Sequence, residues 1–167
     1  MAMGATRSAA GILAALALSL GLSACGGADE PAGPLVDSRT GAFSVPLPEQ
    51  FQQIDMSDQP PEIELGLRDD GLGQVVATRY NSAGEAETNA QMIVTTLTTS
   101  GEAACETIDL PGATFAWLCS TEDEVEPFER VFAAMADPEQ SVLLLFQADP
   151  GQAADLARGV VAGFAWS

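Results

Sequence analysis

Ser141-Val142-Leu143-Leu144-Leu145-Phe146-Gln147-Ala148 decides how this chain folds. Successive side chains of a strand point to opposite faces, so Val142, Leu144 and Phe146 share one face and Leu143 and Leu145 the other. A strand that is apolar on both faces has to be covered on both, which requires a layer on each side of its sheet. Residues 128–136 read as its partner strand. Between them, Asp137-Pro138-Glu139-Gln140 puts Pro at the second turn position, where its fixed φ fits.

Two stretches supply covering helices. Between Ser82 and Gly101, the residues Ala86, Ala90, Ile93, Val94 and Leu97 fall on one helical face, with Ser82 and Glu85 as a capping box and Gly101 as the stop. The second helix is expected to be capped by Asp149, with Pro150 at its first position and Leu156, Ala157, Val160, Val161 and Phe164 as its buried stripe. Gly159 and Gly163, four apart, read as a flat place where that helix packs closely on the sheet.

The remaining strands follow from alternation. Phe43, Val45 and Leu47 alternate with Ser44, Pro46 and Pro48, and the prolines assign this strand to a sheet edge, with residues 51–54 continuing it. Ile63, Leu65 and Leu67 alternate with Glu62, Glu64 and Gly66, a pattern for a strand with one wet face. The turn Asp69-Asp70-Gly71-Leu72-Gly73 leads into a return strand over 74–80. It lacks the alternating oxygen ligands and twelfth-position Glu of an EF-hand. The order of strands, helix, strands and helix is that of an α+β fold, an α/β/α sandwich with a mostly antiparallel sheet. Length and composition fit one globular domain over 39–167.

The other end of the chain carries an address. Arg7, the apolar run 9–22 and the small residues Ser23 and Ala24 have the three parts of a secretory signal. Residues 8–24 are too short and too rich in Gly, Ala and Ser for a spanning helix, which needs about 20 strongly apolar residues. Leu22-Ser23-Ala24-Cys25 resembles the lipobox of bacterial lipoproteins. That resemblance implies that 1–24 is a signal peptide, that Cys25 becomes the mature N-terminus, and that its sulfur carries a diacylglyceryl group, with palmitate-type acylation. Residues 25–38, small and Gly/Pro-rich at their start, then read as a flexible tether.

With Cys25 so used, Cys105 and Cys119 remain, in an oxidising compartment. A hairpin folded about Pro111-Gly112 sets them opposite each other, close enough for a disulfide.

Composition excludes much chemistry. There are 24 acidic residues against six Lys plus Arg, no His, and a net charge of −18. All six cations are Arg, and Arg7 leaves with the signal. Such a surface repels nucleic acid and anionic lipid, so membrane affinity falls to the lipid anchor. Absence of His removes imidazole bases and Ser-His-Asp triads, and absence of Lys removes Ser-Lys pairs, Schiff bases and P-loops. Carboxylate chemistry of the glycosidase kind stays open, but no spacing singles out a pair. Glu122, Asp123, Glu124, Glu126 and Glu129 read as an acidic connector whose cation binding the sequence leaves open. No metal site, cofactor or catalytic residue is assigned.

Phe43-Ser44-Val45-Pro46-Leu47-Pro48, the central amphipathic helix, the strand 142–146 and the ending Val160-Val161-Ala162-Gly163-Phe164 together resemble the LpqN/LpqT type of bacterial lipoproteins, which share a PsbP-like sandwich. The resemblance implies an exported, non-enzymatic accessory protein of the cell envelope that acts by binding. Its lipid would anchor it to the cell membrane, facing the periplasm or cell surface, and its partner would be an envelope protein or apolar ligand. The alternative is a carrier of an envelope lipid or other apolar ligand, with a pocket between helix and sheet lined by Met92, Phe115, Trp117 and Phe132. A carboxylate-dependent hydrolase is the third reading.

Overall fold

A computed structural model describes residues 33–121 and 127–167. In chain order they form β1 (Leu35–Asp37), β2 (Phe43–Pro46), β3 (Gln52–Gln53), β4 (Ile63–Arg68), β5 (Gln74–Tyr80), α1 (Glu85–Ser100), β6 (Ala103–Thr107), β7 (Phe115–Thr121), β8 (Glu129–Ala136), β9 (Ser141–Ala148), α2 (Ala153–Ala162) and β10 (Ala165–Trp166). Seven strands make one sheet in the order β3-β4-β5-β9-β8-β7-β6, and every neighbouring pair is antiparallel.

The two-faced strand β9 lies in the middle of this sheet, as its sequence requires. Val142, Leu144 and Phe146 pack with Val131, Ala133 and Met135 of β8 against Ala153, Ala157, Val160 and Val161 of α2. Leu143, with Phe132 and Ala134, packs on the other face against Ala86, Ala90 and Val94 of α1. The α/β/α sandwich is therefore observed, with one addition. At about 1.5 Å per residue, the ten residues of α2 span only about 15 Å, while seven strands at about 4.8 Å spread over roughly 30 Å. A second, three-stranded sheet in the order β1-β2-β10 fills the remainder, burying Phe43 and Val45 in the same core as α2.

This small sheet revises several expectations. Strand β2 is its middle strand, not an edge: β1 pairs along Ser44, Val45 and Pro46, β10 along Phe43 and Ser44, and Pro46 sits at the strand end where its missing N–H costs least. Strand β1 lies inside the span 25–38 read as tether, so the folded part begins before residue 39. Leu47 N–H donates to Pro34 O at 2.7 Å, and a Cβ on Gly33 would collide with Leu47 O, a close approach that glycine permits. Strand β3 joins the larger sheet beside β4 instead of continuing β2.

Both helix starts differ from their local signals. Gly84, with no side-chain cap, stands at the N-cap of α1, and the Ser82–Glu85 box does not form. The cap comes from β9: the buried Ser141 hydroxyl accepts from Ala86 N–H at 3.0 Å and donates to Ser82 O at 2.6 Å. Helix α2 starts at Ala153 with Gln152 as N-cap, because Asp149-Pro150-Gly151-Gln152 first closes a turn, Gln152 N–H to Asp149 O at 3.0 Å. Its C-terminal neighbour is as expected for α1: Gly101, at φ 74, ends that helix. Among the described residues no helix is long and apolar enough to cross a membrane.

Candidate functional site

Cys105 and Cys119 are paired residues of β6 and β7, their Cα atoms 4.1 Å apart, and are joined by a disulfide. The turn that sets this register is Leu110-Pro111-Gly112-Ala113, with Ala113 N–H on Leu110 O at 3.0 Å and Gly112 at φ 98, as a type II turn needs at its third position. Cys119 is buried in the cluster under α1. Cys25 and residues 122–126 of the acidic connector lie outside the described residues, while Glu129 opens β8.

Of the four residues proposed for an apolar pocket, the structure brings Phe115, Trp117 and Phe132 together and leaves Met92 apart. Phe115 and Trp117 stack at 6.1 Å and pack, with the buried Phe132, into the α1-side core. Met92 is 61 % exposed on the opposite side of α1, because it falls two positions from both Ala90 and Val94 on the helix.

A groove among the described residues lies on the other side of the sheet, along α2. After β2 the chain runs through Leu47 and Pro48 into a turn closed by Phe51 N–H on Pro48 O at 3.1 Å, with Gln50 held at φ 70, a left-handed conformation that side-chain-bearing residues rarely adopt. This segment forms one wall. Leu156, Gly159 and Val160 of α2 form the other, and Gly33 and Pro34 close one end. The groove encloses about 640 Å³. Gly159 has no atom within 4 Å of where its Cβ would be, so it opens the groove and does not seat the helix on the sheet as expected. An adjoining hollow of about 280 Å³ shares Phe51, Asp155 and Leu156 and continues toward Asp149 and Asp69. The floor is apolar and the rim acidic. Glu49 and Asp155 are exposed, and Asp155 pairs with Arg158.

A second polar constellation was hidden by its own alternation. Glu64, expected on a wet face, is 1 % exposed. Its Oε2 accepts from Thr40 N–H at 2.9 Å and Thr40 Oγ1 at 2.8 Å, and its Oε1 pairs with Arg79 Nε at 3.1 Å. Residues 54–56 cover that face of β4: Ile54 N–H donates to Gly66 O, and Ile54 and Met56 lie against Gly66. Arg39 holds the same segment down through the carbonyls of Met56, Pro60 and Pro61. With a cation and two donors satisfying it, Glu64 latches the β1–β2 layer to the main sheet.

Among the described residues, the two carboxyls whose acidity is displaced are turn residues. Hydrogen bonds from the Ser57 backbone and side chain lower Asp55, and those from the Gln140 side chain and the Glu139 and Gln140 backbone lower Asp137. A general acid needs the opposite direction. Among the described residues, no group of three or more His, Cys, Asp and Glu is placed to hold a metal ion.

No family model matches the chain, and no curated protein matches it in sequence. Solved structures do match in fold. A protein from Bacteroides thetaiotaomicron VPI-5482, known from a crystal structure, superposes with a TM-score of 0.56 at 12 % identity over 81 % of this chain and 49 % of its own, so this chain spans about half its length. The solution structure of cyanobacterial PsbP (CyanoP) from Synechocystis sp. PCC 6803 superposes with a TM-score of 0.53 at 11 % identity, over 87 % of this chain and 99 % of its own. The fold is thus PsbP-like; at these identities the likeness extends to the fold alone.

Proposed function

We propose that the protein is a lipid-anchored, non-catalytic binding module of the bacterial cell envelope, tethered through Cys25 and engaging its target at the groove between α2 and residues 46–51. The groove carries this reading. It offers apolar contact area from the half-buried Leu47, Pro48, Phe51 and Leu156, with no nucleophile–base pair in its walls. Its carboxylates are exposed rim charges, which does not favour a hydrolase built on a desolvated acid. The LpqN/LpqT resemblance and the lipobox of the leader supply the envelope and the anchor, and Gly33 at the groove's end puts the site within ten residues' reach of Cys25, at most about 30 Å.

A carrier of an apolar ligand is the second reading, favoured by the groove volume, which falls in the range of small-molecule sites. Intact-mass analysis of the membrane-extracted protein tests the anchor: a chain starting at Cys25 with added acyl mass is expected, and one without it removes the premise. Crosslinking in intact membranes tests the module, which requires a reproducible protein adduct. A carrier instead releases a stoichiometric lipid on solvent extraction.

A further inference from the structure

The groove's charge identifies what can fill it. Its floor is apolar, yet Glu49 stands on one wall and Asp155 on the other, and Asp149 and Asp69 line the hollow that extends it along α2. The chain as a whole carries −18. An anionic lipid headgroup or an acidic segment, the acidic stretch Asp29-Glu30 of this chain included, meets repulsion at that rim. An alkyl chain laid in an open groove also keeps one side in water. A polypeptide does not have this problem: it can set apolar side chains on the floor and keep its backbone and long basic side chains at the solvent edge.

Resting on the reading of the groove as a binding site, we infer that its occupant is a short segment of a partner protein carrying two or three apolar side chains flanked by Lys or Arg. The apolar anchors insert between Phe51 and Leu156 beside Gly159, and the basic groups answer Glu49 and Asp155. Asp155 is already held by Arg158 of its own helix, so an incoming cation shares or replaces an exposed pair, a weak interaction in water. Affinity therefore comes from the floor, and orientation and association rate from the rim.

Gly159→Leu is the discriminating variant. The position is helical and a Cβ there meets no atom within 4 Å, so a leucine can extend into the groove, and it favours the helix over glycine. Its melting temperature should equal or exceed the wild-type value, which separates blocked binding from lost folding. The probe is a labelled peptide of about twelve residues alternating Leu or Phe with Lys, read by fluorescence anisotropy against a control with Ser in place of Leu and Phe. The wild type should bind the probe at least about tenfold more tightly than the control, with Gly159→Leu erasing that difference and Glu49→Lys with Asp155→Lys weakening binding about tenfold and flattening its salt dependence. Equal binding of probe and control, or of wild type and Gly159→Leu, assigns the binding to bulk acidity and overturns the proposal. If phosphatidylcholine vesicles or a long-chain alcohol bind in a Gly159→Leu-sensitive way while the peptide does not, the peptide class fails and the groove stands. Membrane crosslinks that survive Gly159→Leu unchanged overturn the groove itself and leave only the tethered module.

Discussion

Replacing Ser141 by Ala removes a helix cap supplied from 55 residues away. Two groups lose their partner. Ala86 N–H sits in a buried first turn, and without the hydroxyl it has no acceptor, which costs about 1–3 kcal/mol. Ser82 belongs to an exposed residue, so its carbonyl regains water and contributes little. Loss of an ordinary cap costs about 0.5–2 kcal/mol, and burial moves the expectation to the upper part, about 2 kcal/mol. For a domain of this size each kcal/mol shifts the melting temperature by a few degrees, so a fall of roughly 6–10 °C is expected. The measurement is urea unfolding of oxidised protein, comparing Ser141→Ala with Ser82→Ala. If the helix were capped as its own sequence suggests, Ser82→Ala would carry the loss; with the observed geometry it should cost less than about 0.5 kcal/mol. Equal losses for the two variants, or a loss below about 0.5 kcal/mol for Ser141→Ala, would refute the assignment of the cap to β9.

Three further outcomes follow from the same interactions. Replacing both Cys105 and Cys119 by Ala opens a covalent loop of about 15 residues and should lower unfolding stability by about 3 kcal/mol, seen as a lower urea midpoint that reductant no longer shifts. Arg79→Met strands the buried Glu64 carboxylate; because the guanidinium is 31 % exposed, the cost is set below that of a fully buried pair, at about 1–3 kcal/mol, and it should vanish in a Glu64→Gln background. Asp137 is held below its ordinary value of 3.8, so its hydrogen bonds stabilise the fold at pH above that value and are lost as pH falls through the lower folded value; the stability gap between wild type and Asp137→Asn should be constant near neutrality and close in acid. A gap that does not close in acid contradicts the ionised turn.

What could be read from the sequence was what neighbouring residues decide. The two-faced run 142–146, the turn at Pro138 and the Pro111-Gly112 hairpin that aligns Cys105 with Cys119 are local signals, and each is observed. Elements defined by a distant partner were not legible. Strands β1 and β10 have three and two residues, too few for a period, and exist because β2 pairs with both. Glu64 alternates like a solvent-facing residue, and only the overlying 54–56 segment and Arg79 make it a buried one. The Asp149-Pro150 start of α2 was displaced by the turn at Gly151. The groove had no sequence signature: it arises where Pro46, Pro48 and the strained Gln50 carry the chain past Gly159. Met92 was assigned to a pocket by type alone, when its place on the helix relative to Ala90 and Val94 already turned it outward.

Strand β2 is held from both ends of the domain at once. Asp37 and Ala165 lie opposite the same residue, Ser44, and the ring of Phe43 stacks on Phe164 at 5.3 Å with the edge of Trp166 against both. The order of synthesis makes this a timing device. As the chain emerges, β1 and β2 can meet early, but one side of β2 stays bare and Phe43 stays uncovered until residues 164–166 arrive. A chain stalled or clipped before that point displays an open strand edge beside an unburied aromatic, the features that recruit chaperones, proteases and other nascent chains. The core thus binds the first strands of the domain to residues 164–166, which close the open side of β2 and cover Phe43.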